Sequence, residues 1–197
     1  MRPMARILAA IGLLFLAGAC AGRGDGRPPG ETITLPPEAV RLVFRLPAFA
    51  AEAGQHTQYW SADRQYQEEF AEWRLDDGAT AGLTLSAANT GKPVSDPVQP
   101  AEVMAIWPKF NDKRPSFGDV ATARTRLGAL SYQRVAVGTS ACVIFLRRWP
   151  VPDPRVAAGA QANLSGFYCN PPGVLLTPDA AITVLRAVVL RPPRKQS

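Results

Sequence analysis

Any mechanism that needs a histidine base must run through His56, the one histidine of the 197-residue chain, in the segment GQHTQYW. Nothing in that segment supports such a mechanism: it carries no serine, cysteine or acid beside the imidazole. Ser140 is the other candidate, but GTSAC lacks the closing glycine of a G-x-S-x-G elbow and falls where a hairpin turn is expected, not a strand-to-helix turn. A loop or surface histidine is the simpler expectation. One histidine also makes no histidine cluster for a metal, and Cys142 and Cys169 are better used as a disulfide. Carboxylates offer a second route, because a glycosidase needs only two acids placed across a sugar. The nearest cluster is Glu68, Glu69 and Glu72. On a strand, Glu68 and Glu72 share one face with Phe70, a pattern that a plain solvated face also produces. Phosphate-cradling loops of the G-x-x-x-x-G-K-[ST] kind and the dinucleotide glycine fingerprint are both missing, so no nucleotide cofactor is expected. No other cofactor and no metal is expected either.

Binding chemistry is equally sparse. Lys113-Arg114, Arg147-Arg148 and the run from Arg191 to Lys195 are small, dispersed basic clusters, suited to anionic headgroups or solubility and not to nucleic acid. Tyr59, Trp60, Trp73, Trp107 and Trp149 could line a ligand groove; in a domain of this size aromatic residues usually form the core.

Composition bounds the class. With 47% hydrophobic and 19% charged residues the chain is too apolar for a disordered protein, and a mean hydropathy of -0.04 is too polar for a multi-span membrane protein. One globular domain fits the length. Its elements must be threaded among 19 prolines.

The first twenty residues, MRPMARILAAIGLLFLAGAC, follow the order of an export signal. Arg2 and Arg6 form a basic region, Ile7 to Leu16 an apolar run of ten, and small residues lead to Cys20. The run is shorter than the roughly 20 residues of a spanning helix. The segment resembles a bacterial lipoprotein signal peptide, with Ala17, Gly18 and Ala19 as the small residues before the acylated cysteine. That resemblance implies removal of residues 1–19, two acyl chains on Cys20 as the new N-terminus, and a membrane partner reached through lipid. In that family an Asp after the cysteine favours the inner membrane; Ala21 implies the outer one. Loss of Arg2 and Arg6 lowers 22 basic residues to 20 against 16 acidic ones, leaving about +4. Ordinary secretory cleavage near Ala19 or Ala21 is the alternative.

With Cys20 assigned to lipid, Cys142 and Cys169 are an even pair in an exported chain and are expected to form a disulfide. Their separation, and the lack of a C-x-x-C arrangement, make it structural and not redox-active. On the chain-entropy model a loop of 27 residues would stabilise the fold by roughly 3.5 kcal/mol.

Residues 20–37, rich in Gly and Pro, read as the lipidated cysteine and an extended tether without fold. A single domain over 38–190 follows, and 191–197 reads as a basic tail. Alternation at Val40, Leu42, Phe44 and Leu46 predicts a strand ended by Pro47. Residues 65–75, Asp76-Asp77-Gly78 and the apolar alternation through Ala87 predict a hairpin. Pro100 opens a short helix over 101–107. Residues 127–137 and 141–149, joined at Gly138-Thr139, predict a second hairpin. Its strand Cys142 to Leu146, apolar on both parities, belongs in the sheet's interior. Thr177-Pro178-Asp179 starts a helix with Ile182, Leu185 and Val189 on its apolar face. The expected architecture is α+β: an antiparallel sheet, a C-terminal helix packed on it, and a Cys169 loop tied back by the disulfide. Gly166 to Gly173 with the helix start after it resembles the ends of proteobacterial envelope proteins that carry no assigned activity. The function these readings imply is a non-enzymatic envelope module, contacting the membrane through lipid and an envelope protein partner, with a glycan-directed hydrolase as the alternative.

Overall fold

The computed structural model describes residues 29–50, 52, 54–88, 97–150 and 161–192. The signal-like segment, Cys20 and most of the tail lie outside them. Ten strands are described: β1 Gly30–Thr34, β2 Leu42–Phe44, β3 Gln55–Ser61, β4 Tyr66–Arg74, β5 Thr80–Ala88, β6 Pro115–Thr125, β7 Gly128–Val137, β8 Ser140–Pro150, β9 Gln161–Cys169 and β10 Val188–Leu190. Two α-helices accompany them, α1 Val103–Ile106 and α2 Pro178–Arg186.

Eight strands form one antiparallel sheet in the order β1-β3-β4-β5-β9-β8-β7-β6, and β10 pairs with β2 in a separate two-stranded ribbon. The order records two meanders. The chain climbs through β3, β4 and β5, crosses to the far edge, and returns through β6, β7, β8 and β9 until β9 pairs with β5. Both predicted hairpins are present. Asp77 Oδ1 accepts from Ala79 N–H at 2.8 Å, and Gly78 takes φ +89°, where a side chain would be strained. Gly138 at φ +61° serves the two-residue turn between Val137 and Ser140.

Both faces of the sheet are covered. Every residue from Cys142 to Leu146 is buried, as expected of an inner strand. On one face Leu42, Phe44, Phe49, Trp73, Leu83, Val143 and Leu164 form a cluster that also holds Ala181, Val184 and Leu185 of α2. On the opposite face the crossing segment, with 3-10 turns at Pro100–Glu102 and Pro108–Phe110 around α1, presses Val103, Met104, Trp107 and Phe110 onto Ile144 and Phe167. Gly82 makes room for this: a Cβ there would lie 2.3 Å from Trp107 Cη2 and 2.4 Å from Phe167 Cε1.

Four expectations are corrected. Gly30–Thr34, inside the segment 20–37 read as a tether, pairs with β3 as an edge strand, because its backbone hydrogen bonds need no buried side chain; all five residues are exposed. Thr177 caps α2 as expected, its Oγ1 accepting from Ala180 N–H at 3.2 Å, but the helix stops at Arg186. Val189 then belongs to β10, where β-branched Val188 and Val189 meet Phe44 and Val43. Cys169 ends a strand, not a loop, directly opposite Cys142 with Cα atoms 4.0 Å apart. Arg191, read as tail, is held by its N–H donating to Arg41 O at 2.9 Å.

Candidate functional site

The segment between β1 and β3 bends over one face of the sheet and leaves a space beneath it. Its course is set by a few anchors. Glu69, 4% exposed on β4, turns its Oε1 to accept from Arg41 N–H at 2.8 Å and Leu42 N–H at 2.9 Å. Arg45 N–H donates to Ala187 O at 2.8 Å, joining β2 to the end of α2. Pro47 then opens a 3-10 turn that delivers Phe49 inward. Phe44 stands 5.7 Å from Phe49 and 6.0 Å from Trp73, ring centre to ring centre, and 6.2 Å from Tyr168 in a stacked pair. Each such pair contributes about 0.5–1.5 kcal/mol beyond area burial. Gly54 lets the backbone lie on the indole, since a Cβ there would fall 2.3 Å from Trp73 Nε1.

The space is a cavity of about 560 Å³. Leu35, Val40, Leu46 and the rings of Phe44, Phe49 and Trp73 give it hydrocarbon walls, while Arg45, Glu52 and Arg191, all exposed, stand among its lining residues. His56 lines it too, edge-on to Trp73 at 5.3 Å, with its Nδ1 buried and without a hydrogen-bond partner. Burial first, then the neighbouring Arg191 guanidinium, lowers the His56 pKa below 6.5, so the imidazole is neutral at pH 7. Among the described lining residues no hydroxyl, thiol or amide side chain accompanies it. Apolar walls with cationic groups beside them suit an amphipathic ligand.

The other sequence candidates do not converge. Ser140 begins β8 and His56 lies on β3, with three strands between them, roughly 19 Å at about 4.8 Å per strand step. Glu69 points to the cavity face and is occupied as an anchor; Glu68 and Glu72 lie on the opposite face, their Cα atoms roughly 13 Å apart at about 3.3 Å per residue. Among the described residues there is no group of three or more His, Cys, Asp or Glu able to hold a metal. Cys142 and Cys169 are joined in the expected disulfide and buried to 1% and 4% exposure. Of the aromatic candidates, Trp73 faces the cavity and Trp107 is core. Sequence reasoning missed Phe44 and Phe49 as cavity walls and Arg45 and Arg191 as its cationic residues; the one legible hint was the strand alternation that turns Phe44 inward.

Two further features mark the opposite face. Lys109 Nζ sits 4.1 Å from the Phe167 ring centre and donates to Thr80 Oγ1. Its pKa is pushed down to about 8 by burial, with Glu72 opposing and Arg74 reinforcing the shift. A lateral row of buried polar residues, Glu68, Ser86 and Asn163, runs across β4, β5 and β9, with Asn163 Nδ2 donating to Pro97 O at 3.1 Å.

The chain matches no family model, no curated protein and no solved structure. Its site must therefore be judged on its own chemistry. No helix among the described residues is long and apolar enough to cross a membrane.

Proposed function

We propose that this chain is an exported, non-enzymatic binding module of the bacterial envelope, held by lipid on Cys20 to the outer membrane and facing the periplasm. The observation that carries this is the buried Cys142–Cys169 disulfide, a bond that oxidising compartments sustain; the resemblance of residues 1–20 to an export signal supports the same reading. Two acyl chains would hold it stably, at about 0.8 kcal/mol per buried methylene. The helix α2 is taken as packed on the sheet, supported by Ala181, Val184 and Leu185 sharing a buried cluster with Leu83, Val143 and Leu164. That arrangement keeps the cavity face rigid while an envelope partner or ligand is met. Fractionation of cells expressing the native chain and Cys20→Ser tests the anchor. Membrane association lost in Cys20→Ser is the expected result; unchanged partitioning, or recovery of the native chain as a free periplasmic protein, would overturn it.

A further inference from the structure

We propose that the cavity beneath the β1–β3 segment binds a long-chain carboxylate, its hydrocarbon chain against Phe44, Phe49 and Trp73 and its head between Arg45 and Arg191. The volume of about 560 Å³ lies within the roughly 300–1,000 Å³ of small-molecule sites. Apart from His56 its inner walls are hydrocarbon and aromatic, so most of the buried part of the ligand is apolar, since a polar group away from the imidazole would lose water without gaining a partner. The charge among the lining residues decides the other end. Arg45 and Arg191 oppose one acid, Glu52, and among the described residues neither guanidinium makes an ion pair or a side-chain hydrogen bond. A guanidinium matches the planar carboxylate through two parallel N–H···O bonds, which an alcohol cannot accept in that form and an ammonium repels. Both arginines are fixed at their backbones, Arg45 to Ala187 O and Arg191 to Arg41 O, so the two heads are set by the β2–β10 ribbon and not by a loose tail. Their side chains remain exposed and able to swing onto a ligand.

This inference rests on the binding function proposed above but not on the anchor, and its test leaves the two separable. The full chain carrying Cys20→Ser is titrated calorimetrically with dodecanoate below its micelle concentration, and in parallel with dodecanol and dodecylammonium. Saturable binding of dodecanoate, at least about tenfold tighter than either control, is expected. Arg45→Glu and Arg191→Glu should each weaken it by about tenfold or more, and Ala50→Trp, which fills the cavity from its exposed edge, should abolish it. Arg148→Glu, hydrogen-bonded instead to Gln161 on β9, should bind like the parent. Thermal melts of each variant establish that the fold persists. Equal binding of dodecanol would make the cavity a plain apolar pocket and overturn the carboxylate assignment. Absence of saturable binding, or binding untouched by both charge reversals and by Ala50→Trp, would overturn the site itself. Either failure leaves the fractionation result for Cys20 to judge the anchored module independently.

Discussion

Glu69 shows how far a residue's role depends on what reaches it. As one of three neighbouring acids it suggested hydrolysis; folded, it is a buried acceptor for two backbone N–H groups twenty-seven and twenty-eight positions away. Glu69→Ala would leave a buried donor on Leu42 and a part-buried one on Arg41 unpaired, and is expected to cost about 1–3 kcal/mol in urea unfolding, while Glu69→Gln, which keeps an acceptor oxygen, should cost less. His56 carries the clearest pH dependence. Its folded pKa lies below the 6.5 of the unfolded chain, so as pH falls through 6.5 the unfolded state takes up the proton first and stability drops. The urea midpoint of the parent should therefore decline from pH 7 toward 5, and His56→Gln should lose the part of that decline due to the imidazole. Identical slopes in the two proteins would show that burial does not hold His56 neutral.

At the scale of elements, the crossing segment over 97–113 matters most, because among the described residues it is what covers the opposite face of the sheet. Pro100 was legible as the start of a short helix, whereas the turn at Pro108 was not read, and α1 sits within the span the sequence suggested. Its docking was not legible, since it depends on Gly82, a residue that looks like a weak point in a strand pattern until Trp107 is laid over it. Gly82→Ala drives a methyl into Trp107 and Phe167 and is expected to destabilise by about 1–3 kcal/mol through overpacking. A circular dichroism melt with an unchanged midpoint would show that the indole yields. β6 and β9 escaped prediction for related reasons. β6 exposes most of its side chains at a sheet edge and carries a register shift between Phe117 and Val120, so its alternation is weak; β9 is buried on both faces, so it shows none.

For the molecule as a whole, the two meanders meet where β9 pairs with both β5 and β8, and the disulfide lies at the end of that inner pairing, with Cys169 opposite Thr80 and Cys142 alike. Removing it with Cys142→Ser and Cys169→Ser together should lower unfolding free energy by about 2–5 kcal/mol, and reductant should weaken the parent by a similar amount. Loss of ligand affinity is not expected to follow at once, because the cavity lies on the opposite face of the sheet from the cysteines. A cavity that collapses on reduction would show the two faces to be coupled.

Local chemistry was enough to determine several features of this protein from the sequence alone. Turn residues at Asp76-Asp77-Gly78 and Gly138-Thr139, the Thr177 cap, the double-sided apolar run from Cys142 to Leu146 and the pairing of the two later cysteines all follow from short-range geometry and composition. Only the tertiary structure decided that β2 leaves the main sheet to pair with β10, that the apparent tail residue Arg191 is held against Arg41 beside that strand, and that a set of scattered apolar residues encloses a cavity. Those outcomes depend on contacts between positions more than a hundred residues apart, as between Arg41 and Arg191, and no local pattern encodes which distant segment will arrive to satisfy an open backbone edge or an apolar face.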